Sequence, residues 1–488
     1  MTRPTTDPID ALHTGIDRPT EGARFDAITT QRAIGALVGS AVGDALGAPF
    51  EFGAAGQYSA RFPDAEVGGT GEMIGGGAFH WQPGEFTDDT QMAVALAQSL
   101  IECDGLDADD VWTRFIAWRR TAGDVGNLTR RALMATRWSG AARAAHDALS
   151  GRSAANGSLM RVTPIAIAWA AADERTLITA ARAQSALTHH DPDAGWGAAI
   201  GAALMRRAIL GDDPIDALPE VLALVDEPQR AEFSALCAES WQPGDDPRSN
   251  GSVYTCLAQA VWAVRHHDTF ADVVRAAIDL GGDTDTVACV AGAIAGARAS
   301  VQGIPSRWST YVHGRLDTPT GEITLDNDGL AQMARQLLGK GPAVSQPREH
   351  VAGPLEVAPR LHAANLDGAA NTPDHMAVVS LCRTQGMFDH RPLRREVFLI
   401  DRPGPANADP LSAVRDAVDS IDAFLADGHE VVVHCHGGRS RTGLVLKAWA
   451  MRTHGFDERE AHSWLAERWP HYHDQQASFV ELLRTQWT

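Results

Sequence analysis

Basic residues are in short supply. The chain has 488 residues, with 62 acidic against 42 basic side chains and a formal net charge of −20. That balance opposes generic polyanion binding, because phosphate contacts need clustered Lys and Arg. Cysteine is sparse too. The six stand far apart at 103, 237, 256, 289, 382 and 435. They form no CxxC pair and no disulfide framework, so a reduced, cytoplasmic setting is expected. No apolar run is read as reaching membrane-spanning length, and no membrane partner is expected. Residues 1–26 are polar and Pro-rich with no signal-peptide core, and read as a flexible tail. No internal repeat links the two halves. Apolar content of 44% is normal for a globular protein. The length gives room for two to four domains.

From residue 27 to about 338 the sequence is rich in Ala, Leu, Gly and Arg. Ile178 to Ala186, Ala198 to Leu210 and Val253 to Arg265 carry apolar residues at helical spacing. No alternating strand pattern is evident, so one all-helical domain is expected. Residues 339–354, containing Gly339, Gly341, Pro342 and Pro347, have the composition of a linker. The pattern then changes. Met376 to Leu381, Val397 to Ile400 and Glu430 to Val433 are short β-rich runs, Leu411 to Leu425 is an amphipathic helix, and helical spacing resumes at Leu444. Strands alternating with helices predict an α/β domain with a central sheet over 355–488.

Two stretches share one grammar. Gly281-Gly282-Asp283-Thr284-Asp285-Thr286 leads into a small-residue helix beginning at Val287, and Phe86-Thr87-Asp88-Asp89-Thr90 leads into another beginning at Gln91. Asp and Thr at a helix start commonly cap first-turn N–H groups and suit the positive end of the dipole. Capping accounts less well for two carboxylates within three positions, twice over. Hard divalent cations, which take carboxylate and hydroxyl oxygens, are the alternative.

Five motifs in order, from about Arg32 to about Trp308, resemble the ADP-ribosylglycohydrolase family, including the dinitrogenase-reductase-activating glycohydrolases. They are Gly39 to Glu51, Phe86 to Thr90, Asn156-Gly157-Ser158-Leu159-Met160-Arg161, Leu187-Thr188-His189, and Gly281 to Thr286. The resemblance implies an all-α fold and two divalent metal ions, Mg²⁺ or Mn²⁺, held by Thr87, Asp88, Asp89, Asp283, Asp285 and Thr286. It implies that Glu51 is the catalytic acidic residue beside them; Asp44 itself reads as structural, holding the loop between helices. Asp124 and Asn127 resemble residues on the ribose side, Asp124 with a catalytic part. Asn156, Gly157, Ser158 and Met160 belong to the loop that resembles the pyrophosphate-binding turn, although Ala155 stands where the family more usually has Gly. His189 resembles a substrate-contacting histidine.

A second constellation is His434-Cys435-His436-Gly437-Gly438-Arg439-Ser440-Arg441-Thr442, with Arg441 six positions after Cys435. A β-branched run precedes it and a helix follows. The helix's positive end favours a thiolate nucleophile at Cys435. Arg441 offers a planar fork for two phosphate oxygens. The stretch from about Leu355 to Leu483 resembles protein tyrosine and dual-specificity phosphatases. In that resemblance His436, Gly437, Gly438, Arg439 and Ser440 wrap the phosphate, and Thr442 helps the phospho-cysteine turn over. The general acid of the smaller phosphatases lies about thirty residues before the cysteine. Asp401, 34 positions upstream, is the better match, and Asp409, 26 upstream, is the rival.

The expectation is a bifunctional hydrolase. One domain releases ADP-ribose from an ADP-ribosylated protein or small molecule, with an ADP-ribosylated nucleic acid left open as a substrate. The other hydrolyses a phosphorylated substrate. Two alternatives stay open: both domains process one phosphorylated ADP-ribosyl metabolite, or one is a non-catalytic binding module.

Overall fold

Gly35, Gly39, Gly43 and Gly47 recur every fourth residue, which puts them on one face of a helix. In a computed structural model of the chain, that helix is Ala27–Gly47, and its glycine face lies backbone to backbone against helix Thr284–Ala299. A Cβ on Gly35 would fall on the Gly296 carbonyl, one on Gly39 on the Gly292 carbonyl, and one on Gly43 on the Ala288 carbonyl. Gly47 likewise abuts the Cα of Asp285. The pairing is antiparallel, so the end of one helix meets the start of the other. The structure describes residues 7–19, 24–341, 351–402, 405–474 and 476–487. Most of the linker expected over 339–354 therefore lies outside the described residues.

The chain divides into two compact units. The first, residues 1–64, 73–301 and 312–342, is helical. Helices Glu174–Ala186, Pro192–Leu210 and Val253–His266 contain the three stretches whose spacing predicted them. Three expectations are corrected here. The tail is not featureless: Pro8–Thr14 is a helix with Ala11 and Leu12 buried, and strand β1 (Ile16–Asp17) pairs with β2 (Gly105–Leu106). Arg18 then donates to the carbonyls of Gln336 at 2.8 Å and Leu337 at 3.1 Å, which ties this segment to the end of helix Asn327–Leu337. The helical unit also carries an antiparallel hairpin, β3 (His313–Thr318) and β4 (Gly321–Asp326). Finally, Ala27–Phe50 is long and apolar enough to span a membrane by composition, but it is buried among the other helices as a core element.

The second unit, residues 65–72, 302–311 and 343–488, is built on a five-stranded sheet. Its strands are β5 (Leu355–Ala358), β6 (Leu361–Asn365), β7 (Ala377–Ser380), β8 (Arg394–Glu396) and β9 (Val431–Cys435), in the order β5-β6-β9-β7-β8. Only β5 runs antiparallel to its neighbour. Central β9 opens on three consecutive valines, Val431 to Val433, because both faces are covered. Val431 and Val433 pack with Ile421 and Phe424 of helix Pro410–Ala426 and Leu444 of helix Ser440–His454, while Val432 packs with Val378 and Phe388. The run expected as a strand at Val397 to Ile400 forms no regular ladder, and the strand falls earlier, at Arg394–Glu396. Two segments from within the expected 27–338 domain belong to this unit. In it Arg395 donates to the carbonyls of Val67 and Gly69, and Ser306 N–H donates to Asp416 Oδ2 at 3.1 Å.

Gly43→Ala drives a methyl into the Ala288 carbonyl and should cost about 3 kcal/mol or more, at the upper end of overpacking penalties. Thermal melting of the full chain checks this against Gly126→Ala, whose Cβ would meet nothing within 4 Å. Equal melting temperatures for the two variants would refute the backbone contact.

Candidate active sites

Helix starts in the first unit are capped in the ordinary way at many places. Asp26, Asp107, Asp173, Asp191 and Asp213 each accept a first-turn N–H. The two Asp/Thr clusters behave differently. Neither Thr87, before helix Asp88–Glu102, nor Asp283, before helix Thr284–Ala299, makes a side-chain cap. For the first helix the duty falls to Asp44, from the glycine-seam helix. Asp44 accepts from Thr87 N–H at 3.0 Å, Thr90 N–H at 3.1 Å and Thr90 Oγ1 at 2.6 Å. Asp88 and Asp89 are thereby released from capping.

The two clusters meet. Thr286 Oγ1 donates to Asp89 Oδ2 at 3.4 Å. Glu51, Asp283 and Asp285 each place a carboxylate oxygen within 4.8 Å of the others. A backbone bridge holds Glu51 there: Phe52 N–H donates to Gly282 O at 2.6 Å, and Gly282 N–H to Gly53 O at 3.0 Å. Gly281 and Gly282 have φ of +74° and +73°, and a Cβ on Gly282 would strike Asn250 Oδ1, so both positions favour glycine. Asp283 is gripped twice more. Asn156 Nδ2 donates to its Oδ2 at 2.9 Å, and its own N–H donates to Asn250 Oδ1 at 3.0 Å.

These carboxylates are buried among like charges. Burial, followed by the charge of Asp124, pushes the Asp88 carboxyl well above the usual range. Burial with Asp44 does so for Asp89, and burial with Asp283 for Asp285. Glu51 is pushed up to about 9 by burial, then by Asp124 and Asp283. Asp44 rises to about 6 and Asp124 also rises, each mainly through burial. Asp89 Oδ1 and Glu51 Oε2 are buried with no hydrogen-bond partner. Oxygen-only donors, uncompensated and clustered, fit hard divalent cations.

The cradle forms one wall of a cavity of roughly 550 Å³. Asp124, Asn127, Asn156, Gly157, Met160 and His189 line it along with Glu51, Asp88, Asp89, Asp283, Asp285 and Thr286. Two expected residues do not. Thr87 is fully buried, its Oγ1 3.5 Å from Asp88 Oδ1. Ser158 is also fully buried and hydrogen-bonds Ala194 O and Ser185 Oγ instead, which corrects its assignment to the substrate loop. Ala155 takes φ −89°, ψ 162°, an ordinary extended geometry that needs no glycine. His189 is neutral: burial and then Arg161 hold it well below the ordinary histidine value. Arg161 donates to Thr188 Oγ1 at 2.8 Å, and the Thr188 hydroxyl lies 2.8 Å from His189 Nδ1. With that hydroxyl accepting from the guanidinium, its proton goes to Nδ1, leaving Nε2–H as a donor. His189 Nε2 has no partner among the described residues and touches the space a Gly157 side chain would fill.

Sequence reasoning passed over Phe52, Arg130, Arg152 and Gly251, all lining the cavity, and Asn250 beside it. A signal was present for two of them. Asn250-Gly251-Ser252 repeats the tripeptide of Asn156-Gly157-Ser158, and the two turns face each other through the bridge Ala155↔Ser252 and Asn156 N–H donating to Gly251 O at 3.2 Å.

In the second unit Cys435 ends β9 and helix Ser440–His454 begins five residues later. Gly438 turns the loop at φ +67°, where a Cβ would meet Ala364 O, and its carbonyl accepts Trp469 Nε1–H at 2.6 Å. His434 is held neutral, down to about 3, by burial, and its Nε2 lies 2.8 Å from Ser380 Oγ. Arg441 is anchored through Nη1 to the carbonyls of Leu381 at 3.1 Å and Leu399 at 3.2 Å. Its Nε, Ser440 Oγ and Thr442 Oγ1 are buried with no hydrogen-bond partner among the described residues. Asp401 Oδ2 stands 3.7 Å from Arg441 Nε, while Gln476 donates to Asp401 Oδ1 at 3.0 Å. The rival, Asp409, spends its carboxylate capping helix Pro410–Ala426 through Ser412 N–H at 3.0 Å. Of the turn after Asp401, Pro403 and Gly404 lie outside the described residues.

A cavity walled by gathered carboxylates and a cysteine framed by a loop and an anchored arginine both belong to hydrolytic chemistry. Residues 26–346 match the ADP-ribosylglycohydrolase family model, and the chain belongs to that family. Residues 400–486 match the dual specificity phosphatase catalytic domain, so the protein is a two-domain hydrolase. ADP-ribosylarginine hydrolase Tri1 of Serratia proteamaculans (strain 568) is 33% identical over 286 residues, covering 57% of this chain and 74% of that protein. ADP-ribosyl-[dinitrogen reductase] glycohydrolase of Rhodospirillum rubrum is 31% identical over 310 residues, covering 62% and 96%. A solved structure, an ADP-ribosylglycohydrolase-related protein complex, aligns with a TM-score of 0.50 at 30% identity, covering 64% of this chain and 98% of that one.

A carboxyl raised in the folded state supports the fold while protonated and ceases to as pH rises through its folded value. Metal-free protein should therefore lose stability as pH climbs through about 6 for Asp44 and toward about 9 for Glu51. Mg²⁺ or Mn²⁺ at a hundredfold excess over Kd should add about 2.7 kcal/mol, roughly 5–10 °C in Tm. The shift should be larger near pH 8 than near pH 6, because cations compete with protons for these oxygens. Differential scanning fluorimetry after chelation reads this directly. No shift at either pH would remove the cation assignment.

Proposed function

We propose that the first unit is a metal-dependent ADP-ribosylglycohydrolase and the second a phosphatase acting through a phospho-cysteine. The observation that carries the first reading is the convergence of two uncapped Asp clusters on one cavity. Asp88, Asp89, Asp283, Asp285, Thr286 and Glu51 are the residues we infer to hold two cations, Mg²⁺ or Mn²⁺, with Thr87 buried beside them. When bound, these ions supply Lewis-acid orientation of a ribose diol and an activated water. The chain's own groups do the rest. Asn156 and Asn250 fix Asp283, the carboxylates favour the positive charge that builds on the anomeric carbon, and His189 Nε2–H donates to a substrate oxygen. Arg130 and Arg152, on the cavity wall, answer the charge of the pyrophosphate. The relatives' names make ADP-ribosylated arginine on a protein the first acceptor to test.

In the second unit Cys435 Sγ forms a bond to phosphorus while the ester P–O bond breaks, and Asp401 gives its proton to the departing oxygen. Water then attacks the phospho-cysteine, Asp401 takes the water's proton, and phosphate leaves with the thiolate restored. The backbone loop 436–440 and Arg441 hold the phosphate oxygens.

Asp285→Ala should abolish ADP-ribose release from an ADP-ribosylarginine protein and leave p-nitrophenyl phosphate hydrolysis intact. Cys435→Ser should do the reverse while still binding vanadate. Assaying both variants on both substrates checks the division, and loss of both activities in either variant would overturn it.

A general acid contributes typically 10²–10⁴-fold. Asp401→Asn should cut turnover by about that range on phenyl phosphate, whose leaving oxygen needs a proton, and by less on p-nitrophenyl phosphate. It should also flatten the alkaline limb of the rate–pH profile. A crippled Asp409→Asn beside an unimpaired Asp401→Asn would transfer the role to Asp409.

A further inference from the structure

Asp401 sits in a segment with little ladder support. Between β8 and helix Pro410–Ala426, the chain is held by side-chain amides instead. Asn407 closes the segment on itself: its Nδ2 donates to Ile400 O at 2.9 Å, and its Oδ1 accepts Ile400 N–H at 2.8 Å. A second amide, Gln302, then ties the closed segment down. Gln302 Nε2 donates to Phe398 O at 2.9 Å and to Asn407 Oδ1 at 2.8 Å, and Gln302 Oε1 accepts Asp409 N–H at 2.8 Å. One side chain, 4% exposed, thus grips points on both sides of Asp401. Asp401 follows Ile400 directly, and its carboxylate stands 3.7 Å from Arg441 Nε.

We infer that Gln302 is a positioning residue for phosphoester hydrolysis at Cys435. It does not reach the phosphate. It fixes the backbone that places Asp401 against Arg441. Gln302 lies outside the phosphatase match at 400–486 and inside the glycohydrolase match at 26–346, although it belongs to the second compact unit. The phosphatase site is therefore incomplete without a residue supplied by the stretch assigned to the other activity. The physical reason is geometric. A proton donor works only within hydrogen-bond reach of the departing oxygen, and a displacement of about 1 Å costs up to about 10²-fold. The side-chain amides of Gln302 and Asn407 hold the described residues on either side of Asp401 in that position. The inference rests on the reading of Asp401 as the general acid.

The test uses the full chain carrying Gln302→Met, which keeps the length and removes the hydrogen bonds to Phe398, Asn407 and Asp409. Turnover of phenyl phosphate should fall about tenfold or more, within the range a general acid contributes. Turnover of p-nitrophenyl phosphate should fall less than about threefold, with KM and vanadate inhibition unchanged and the alkaline limb of the pH profile flattened. In an Asp401→Asn background the same substitution should cause no further loss, since the acid it positions is gone. Asn407→Ala cuts the link from the other end and should reproduce the substrate-selective loss, which keeps the test valid if Gln302→Met folds poorly. Equal loss on both substrates would mark Gln302 as merely structural and overturn the proposal. A crippled Asp401→Asn beside an unimpaired Gln302→Met overturns it while leaving the general-acid reading standing. An unimpaired Asp401→Asn overturns both.

Discussion

Main-chain contact between helices Ala27–Gly47 and Thr284–Ala299 is the constraint from which the first site follows. Four glycines on one helix and small residues on the other remove the side chains that normally keep helix axes 8–10 Å apart. With the pair antiparallel, Gly47 meets Asp285, and the loop leaving the first helix carries Glu51 to the start of the second. The same helix supplies Asp44, which satisfies the first-turn N–H groups of helix Asp88–Glu102. One close packing thus delivers Glu51, orients Asp285 and releases Asp88 and Asp89.

The result is an arrangement that works against the fold in isolation. Several carboxylates are buried within reach of one another, and burying charge without a partner is costly. Where Asp sits at other helix starts it serves as the N-cap, whereas here the carboxylates face the cavity, and Asp89 Oδ1 and Glu51 Oε2 have no hydrogen-bond partner among the described residues. The second unit places its reactive group by a different use of the same element. There a helix start faces the end of β9, so that a cysteine and a loop, rather than carboxylates, occupy the positive end. The arginine that completes it is held by two carbonyls, that of Leu381 just after β7 and that of Leu399 in the segment after β8, leaving its other nitrogens for an anion.

Much of this was legible. Helical spacing found helices Glu174–Ala186, Pro192–Leu210 and Val253–His266 of the first unit, and short β-rich runs found β7 and β9. The residues that resisted were those whose role depends on a distant neighbour. Ser158 belongs to a motif that reaches the cavity, but the tight turn aims its hydroxyl back at Ser185 and Ala194. The segment Val397 to Ile400 has strand composition, yet its hydrogen bonds go largely to Asn407, Gln302 and Arg441 rather than to a ladder. Residues 8–17 look like a polar tail because what holds them, β2 and the end of helix Asn327–Leu337, lies far along the chain.

What the sequence determined by itself was local and chemical: two Asp/Thr clusters before helices, a cysteine with an arginine six positions on, a change from helical to alternating pattern near residue 350, and small residues at a spacing of four. These are readable because period and residue type act over a turn or a strand. Tertiary structure alone decided that the two clusters share one cavity, that Asp44 caps a helix other than its own, that Asp409 is consumed as a cap while Asp401 faces Arg441, and that Gln302 holds the segment between them. The Asp409 cap is a local bond to Ser412 N–H that only the folded helix start reveals as used. The shared cavity, the Asp44 cap, the Asp401–Arg441 pair and the Gln302 tie each depend on groups tens to hundreds of residues apart coming within hydrogen-bond or ion-pair range. No periodicity in a single chain encodes such a distance.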